Sequence, residues 1–171
     1  KEDKARTSEI FERQARHWIN AVRSSSSSSP QQEPIAAEVA LADALRSGVV
    51  LCELFNAIQP GAIKKVNKGK FPAHQHENIG NFVQSCRALG VPDAENFETA
   101  DLYDKRNLMQ VWRCVASLGK HLPEAYTGPL MTSEADLRAE VNKAAADAKA
   151  AERAEAEAEA EAEAAAAAAA A

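Results

Sequence analysis

The sequence predicts an all-α globule over residues 8 to about 122, followed by an Ala/Glu-rich helical tail. Apolar residues recur at i, i+3, i+4 and i+7 in successive windows. No window shows the period-two alternation or the turn-separated β-branched runs of a sheet. Seven Gly and seven Pro in 171 residues suit one domain with an appendage.

The first element is carried by Phe11, Ala15, Trp18, Ile19 and Val22, a single apolar stripe at helical spacing. Thr7 or Ser8 is the expected cap, with Glu9 in the first turn at the positive end of the helix dipole. The stretch "SSSSSSPQQEP" (24–34) ends it, because serines compete for backbone hydrogen bonds and prolines cannot continue a helix. It reads as an inserted, solvated loop, since lengthening a loop costs little: about 0.6 kcal/mol per doubling.

Residues 35–46 are expected to form a short helix through Ile35, Val39, Ala42 and Leu45, broken at Ser47-Gly48. Val49, Val50, Leu51, Leu54, Phe55 and Ile58 then run almost continuously apolar for ten residues without Gly or Pro, which favours a buried helix over a strand. A basic loop, "IKKVNKGKF", carries Lys64, Lys65, Lys68 and Lys70. Ile79, Phe82, Val83, Cys86 and Leu89 make another helix, closed by Gly90 and Pro92. The last strong helix is 105–118, with Leu108, Val111, Trp112, Val115 and Leu118 on one face. In "DLYDKRN" just before it, Asp104 is the expected N-cap and Tyr103 and Leu108 the expected hydrophobic staple, with Lys105 and Arg106 facing solvent. The core is expected around Trp18, Leu51, Leu54, Phe82, Trp112 and Val115.

Residues 123–132 read as a linker and 133–171 as a helical tail capped by Ser133. The tail repeat "AEAEAEAEAE" has period two, so its Glu side chains fall on two broad stripes and leave no apolar coiled-coil seam. A fraying helix or spacer is expected, with a partner helix as the alternative. The net charge of −5 is unevenly spread: residues 1–130 hold 16 Lys and Arg against 15 Asp and Glu, and 131–171 hold 4 against 10. No stretch has the 18 or so apolar residues of a membrane span. Cys52, Cys86 and Cys114 are odd in number, far apart and set in apolar helical patterns, which reads as reduced core thiols in an intracellular protein.

Catalytic and cofactor signatures are thin, and no enzyme is expected. Ser117-Leu-Gly-Lys120 matches SxxK without its SDN and KTG partners. His74-x-His76 has too few neighbours for a zinc site, and His17 and His121 read as surface or core-edge residues. "NKGKF" and "LGKH" lack the first Gly and the Ser/Thr of a phosphate loop, and Asp101 with Asp104 lacks the rest of a calcium loop. No metal and no cofactor follow from these residues. The lysine cluster remains: four cations between helices favour a polyanionic surface, whether an acidic filament, a phosphoinositide or nucleic acid. Nucleic acid is disfavoured by the near-neutral globule and by the absence of interleaved aromatics.

The order and spacing of "ARHWINAV", "LRSGVVLCELFNAIQPGAIKKVN" and "ENIGNFVQSCRALGVPDAENFETADLYDKRNLMQVWRCVASLGK" resemble a calponin homology domain. The single-copy type of calponin, transgelin and related muscle proteins is the most similar. The resemblance implies a compact bundle of four main helices plus short ones, with no enzymatic activity. It implies a cytoplasmic, cytoskeleton-associated module whose usual partner is actin; a divergent branch binds microtubules. Candidate partner-binding residues are then Arg13 and Arg16 on the first helix, Arg113 and Lys120 on the last, and the four loop lysines. Tandem domains bind filaments through surfaces of two copies, and this chain holds one; basic repeats that follow the domain in calponin-like proteins are replaced here by the acidic tail. The leading expectation is an actin-associated adaptor. A structural subunit of a microtubule-bound or ciliary axonemal complex is the first alternative, and a signalling scaffold without filament contact the second.

Overall fold

In the computed structural model, residues 2–26 and 33–170 are described. They form seven helices and no strand, in two compact units, 1–132 and 133–171. The first unit contains α1 (Glu2–Ser25), α2 (Leu41–Leu45), α3 (Val49–Ile58), α4 (Pro72–Leu89), α5 (Thr99–Tyr103) and α6 (Leu108–Lys120). Helix α1 packs on α6 and α3, and α3 packs on α4. The short α2 lies against α3, while α5 joins α4 to α6.

All six expected core residues are buried to within 1% of complete, with the two indoles, Phe55, Phe82 and the Leu/Ile side chains forming one continuous cluster. Phe55 meets Phe82 edge-on at 6.2 Å, a favoured arrangement of the ring quadrupoles. The indole N–H of Trp18 donates to the Pro129 carbonyl at 2.8 Å, whereas that of Trp112 is buried without a hydrogen-bond partner among the described residues.

The element boundaries differ from the sequence expectation in four places. Helix α1 starts at Glu2 rather than at a Thr7 or Ser8 cap. The five residues before Thr7 contain no Gly or Pro that would stop a helix. Helix 35–46 shrinks to Leu41–Leu45, leaving Val39 46% exposed. The reason is Asn20: its Oδ1 accepts from the Ile35 N–H at 2.8 Å and its Nδ2 donates to the Ile35 carbonyl at 3.1 Å, holding Ile35 outside any helix. Six residues of the inserted loop, 27–32, lie outside the described residues.

The third difference concerns "DLYDKRN". Asp104 is not the cap of the last helix but the end of α5, and Asn107 caps α6 by accepting from the Gln110 N–H. Lys105 between them has φ 55°, a left-handed conformation that reverses the chain and separates the two helices. Asp101 closes the start of α5, its Oδ2 accepting from the Glu98 N–H at 2.9 Å. Tyr103 is therefore no staple across a helix start. The Arg46 guanidinium lies over its ring at 4.3 Å and His76 meets it edge-on at 4.3 Å. Lys105 and Arg106 are exposed as expected, with Lys105 paired to Asp43 at 2.6 Å.

The fourth is the segment 123–132, expected as a linker and found as a strap on the first unit. Trp18 holds its Pro129 carbonyl, Gln14 donates to the Thr132 carbonyl at 3.3 Å, and Leu122, Tyr126 and Met131 pack against the core. Met131 lies over Gly119, where an added Cβ would come within 3.2 Å of its own. In the second unit, α7 (Glu134–Ala169) is one helix capped by Ser133, whose Oγ accepts from the Asp136 N–H at 3.2 Å. Every residue from 146 to 170 is exposed, which agrees with a tail that has no apolar seam.

Two outcomes are expected of the fold. Trp112→Ala removes a fully buried indole at about 3–5 kcal/mol, a large part of the ~5–15 kcal/mol a domain has; urea titration should find it mostly unfolded or close to it. Burial, with the nearby Glu53 charge, raises the Cys52 pKa from 9.0 to about 12. The folded state thus keeps a proton that the unfolded chain releases, so this contribution to stability is complete below pH 9 and declines from there towards pH 12. Melting temperature should fall over that window, and less steeply in Cys52→Ala.

Candidate functional site

The loop after α3 is built on two carboxamides. Gly61, at φ 76°, turns the chain past Pro60. Asn56 on α3 then exchanges both hydrogen bonds with the backbone of Ile63, donating to its carbonyl at 2.9 Å and accepting from its N–H at 2.8 Å. Four residues on, Asn78 on α4 does the same to Asn67, at 2.7 and 2.9 Å. The second Nδ2 hydrogen of Asn78 goes to the Ser47 carbonyl at 2.9 Å, and the Asn78 backbone carbonyl accepts from the Cys52 thiol at 3.3 Å. Asn78 is fully buried, so the whole arrangement depends on each polar atom being matched.

Lys64, Lys65, Lys68 and Lys70 all project from this fixed backbone as exposed side chains. Lys65 approaches Glu77 at 3.5 Å, and the other Glu77 oxygen accepts from Asn67 Nδ2 at 2.8 Å. Among the described residues, Lys64, Lys68 and Lys70 have no ion-pair partner. Phe71, next in the chain, is 70% exposed and forms a T-shaped pair with His74, with centroids 5.6 Å apart. Between the loop and α4 runs an open groove of about 490 Å³, lined by Lys64, Lys65, Asn81, Gln84 and Ser85.

The other sequence candidates lie on α1 and α6, which pack on one another. Arg13, Arg113 and Lys120 are exposed and, among the described residues, unpaired. Arg16 is different: its Nη1 donates to the Ala36 carbonyl at 2.5 Å and its Nη2 pairs with Glu12 at 3.2 Å, with the side chain 16% exposed. Its guanidinium anchors the segment before α2 and is not free for a partner.

Ser117 is no nucleophile. It is 2% exposed, and its hydroxyl donates to Glu95. His121 Nδ1 lies 2.8 Å from the Ser117 carbonyl, which can only accept, so that nitrogen carries the proton and cannot serve as base. The three thiols are free and buried. Cys86 is pushed up by its hydrogen bond with Cys114 and by burial, and Cys114 donates to Asn96 Oδ1 at 3.2 Å. Buried, protonated thiols are unreactive. Among the described residues no three His, Cys, Asp or Glu gather as metal ligands.

Sequence reasoning placed the lysines but missed two neighbouring features. One is the exposure of Phe71, which closes the lysine run directly before Pro72 at the first turn of α4. Its signal was an aromatic outside every apolar stripe. The other is the Arg46–Tyr103–His76 stack, which joins residues far apart in the chain and left no local trace.

The helical bundle, with its basic loop anchored on two asparagines, can be compared with known proteins. The calponin homology (CH) domain model matches residues 10–124, and the chain belongs to that family. It is 42% identical over 93 residues to Myophilin of Echinococcus granulosus, covering 52% of this chain and 48% of that protein. It is 34% identical over 110 residues to Muscle-specific protein 20 of Drosophila melanogaster, covering 64% and 55%. The chain thus spans about half the length of these curated relatives. Among solved structures, the calponin-homology domain of an IQGAP protein from Schizosaccharomyces pombe superposes with a TM-score of 0.54 at 22% identity, over 79% of this chain and 87% of that one. That likeness speaks for the fold.

Replacing the central amide tests the loop. Asn78→Asp turns the donor facing two carbonyls into an acceptor; an unmatched buried group costs about 1–3 kcal/mol, so a loss of several kcal/mol is expected in denaturant titration. Reversing Lys64, Lys68 and Lys70 to Glu should shift stability by no more than about 0.5 kcal/mol.

Proposed function

We propose that this chain is a non-enzymatic cytoskeletal adaptor whose single calponin homology domain, at residues 8–122, docks on actin or on an actin-associated assembly. The observation that carries it is the set of unpaired cations, Arg13 on α1 and Arg113 and Lys120 on α6, on helices of the kind through which tandem domains of this family meet filaments. Muscle-specific protein 20, by its name a muscle protein, favours an actin-based partner over a microtubule or axonemal one. Residues 133–171 act as a spacer: their net −6 repels acidic filament surfaces, so they add no affinity for one.

A lone domain has half the footprint of a tandem pair, so the contact is weak and salt-dependent. Co-sedimentation with F-actin over a salt series is the test. Pelleting at low salt, falling as salt rises and reduced about tenfold in Arg13→Glu/Arg113→Glu, is the expected result. No pelleting even at low salt removes direct binding and leaves attachment through a filament-associated protein.

A further inference from the structure

We propose that the fixed basic loop and the groove beside it form a docking site for an anionic membrane surface, separate from the filament-facing cations of α1 and α6. Three observations converge. Lys64, Lys68 and Lys70 are exposed and have no internal counter-charge among the described residues. The backbone next to Lys64 and Lys68 is held at Ile63 and Asn67 by Asn56 and Asn78, so the loop that carries them is anchored at two points. Phe71, in the same run and adjacent to Lys70, exposes 70% of its surface.

Lysines alone suit any polyanion, and Phe71 decides between the occupants. In a protein interface an aromatic anchor fills a pocket and is ringed by contacts that exclude water. Phe71 instead extends the same short loop that carries the ammonium groups. At a lipid surface those two chemistries are wanted side by side: phosphates take the lysines while the ring enters the boundary between headgroups and acyl chains. The groove supplies the headgroup site. Lys64 and Lys65 stand at it, and Asn81, Gln84 and Ser85 line it with side chains that, among the described residues, make no hydrogen bond within the protein. Its volume of about 490 Å³ has room for a phosphate-bearing headgroup. No described helix is long and apolar enough to cross a membrane, so the contact is peripheral.

Each lysine near an anionic leaflet is worth roughly fivefold in affinity, so three reversed lysines should remove binding by a hundredfold or more. The experiment is flotation of the full chain with vesicles of phosphatidylcholine alone and of phosphatidylcholine mixed equally with phosphatidylserine. Binding to the mixed vesicles only, abolished in Lys64→Glu/Lys68→Glu/Lys70→Glu, weakened about tenfold in Phe71→Ala and unchanged in Arg113→Glu, supports the proposal. Absence of binding to the mixed vesicles overturns it. Binding indifferent to Phe71→Ala also overturns it, because the lysines would then act as they do towards any polyanion and Phe71 would select nothing. The same variants are run on F-actin: if the lysine reversal abolishes pelleting there and Arg113→Glu does not, the loop belongs to the filament and the membrane site is rejected. Failure of F-actin pelleting with vesicle binding intact would instead remove only the filament reading.

Discussion

The carboxamide of Asn78 ties together two separate segments of this domain. From one position on α4 it closes the Ser47-Gly48 turn and clamps Asn67 in the basic loop, while the backbone carbonyl of the same residue accepts from the Cys52 thiol of α3. The approach that makes this geometry work is unusually close. Gly48 sits at φ 72°, and a Cβ added there would lie 2.6 Å from the Cβ of Asn78. Glycine at 48 is thus required twice, by the left-handed backbone and by the absence of room. The α3–α4 pairing, the loop that follows α3 and the turn that precedes it share a single buried residue.

Asn78 is one of three asparagines used the same way. Asn20 with Ile35, Asn56 with Ile63 and Asn78 with Asn67 each exchange both hydrogen bonds with the backbone of one residue, as a neighbouring strand would. In an all-α domain the segments between helices have no sheet to satisfy them, and a buried unpaired N–H or C=O is costly. These amides supply the missing partner at fixed points. The consequence for function is that a loop rich in lysine is ordered before any partner arrives. Ordering a free residue costs about 1–2 kcal/mol of backbone entropy, enough to erase the gain from one exposed ionic contact.

The helical stripes and the core were legible because burial repeats with the helical period: Trp18, Leu54, Phe82 and Trp112 each announce a face. The boundaries that went astray were set by contacts distant in sequence. Nothing within residues 35–40 says that Asn20 will hold Ile35 out of a helix. Nothing in "DLYDKRN" says that Lys105 takes a left-handed conformation, though Asn107 is as good a cap as Asp104. The lysine loop was visible as composition, yet its rigidity depends on Asn56 and Asn78, which fall within helical windows and look like ordinary polar positions. The strap at 123–132 was hidden for the opposite reason: its prolines and glycine read as a spacer, while the Trp18 indole that grips it lies more than a hundred residues earlier.

Charge distribution, finally, separates the cations that build the domain from those available to a partner. Arg16, Lys65, Arg87, Lys105 and Arg106 each lie within 4 Å of a carboxylate of the first unit, so a formal balance near zero conceals local pairing that removes both members from the outer field. Among the described residues, Arg13, Arg113 and Lys120 on two packed helices, and Lys64, Lys68 and Lys70 on the loop, make no ion pair, and Arg46 is taken up by the Tyr103 ring. A near-neutral domain can therefore present positive surfaces without a high isoelectric point. Because the two sets sit on different elements with separate supports, the proposed filament contact and the proposed membrane contact need not compete for one site.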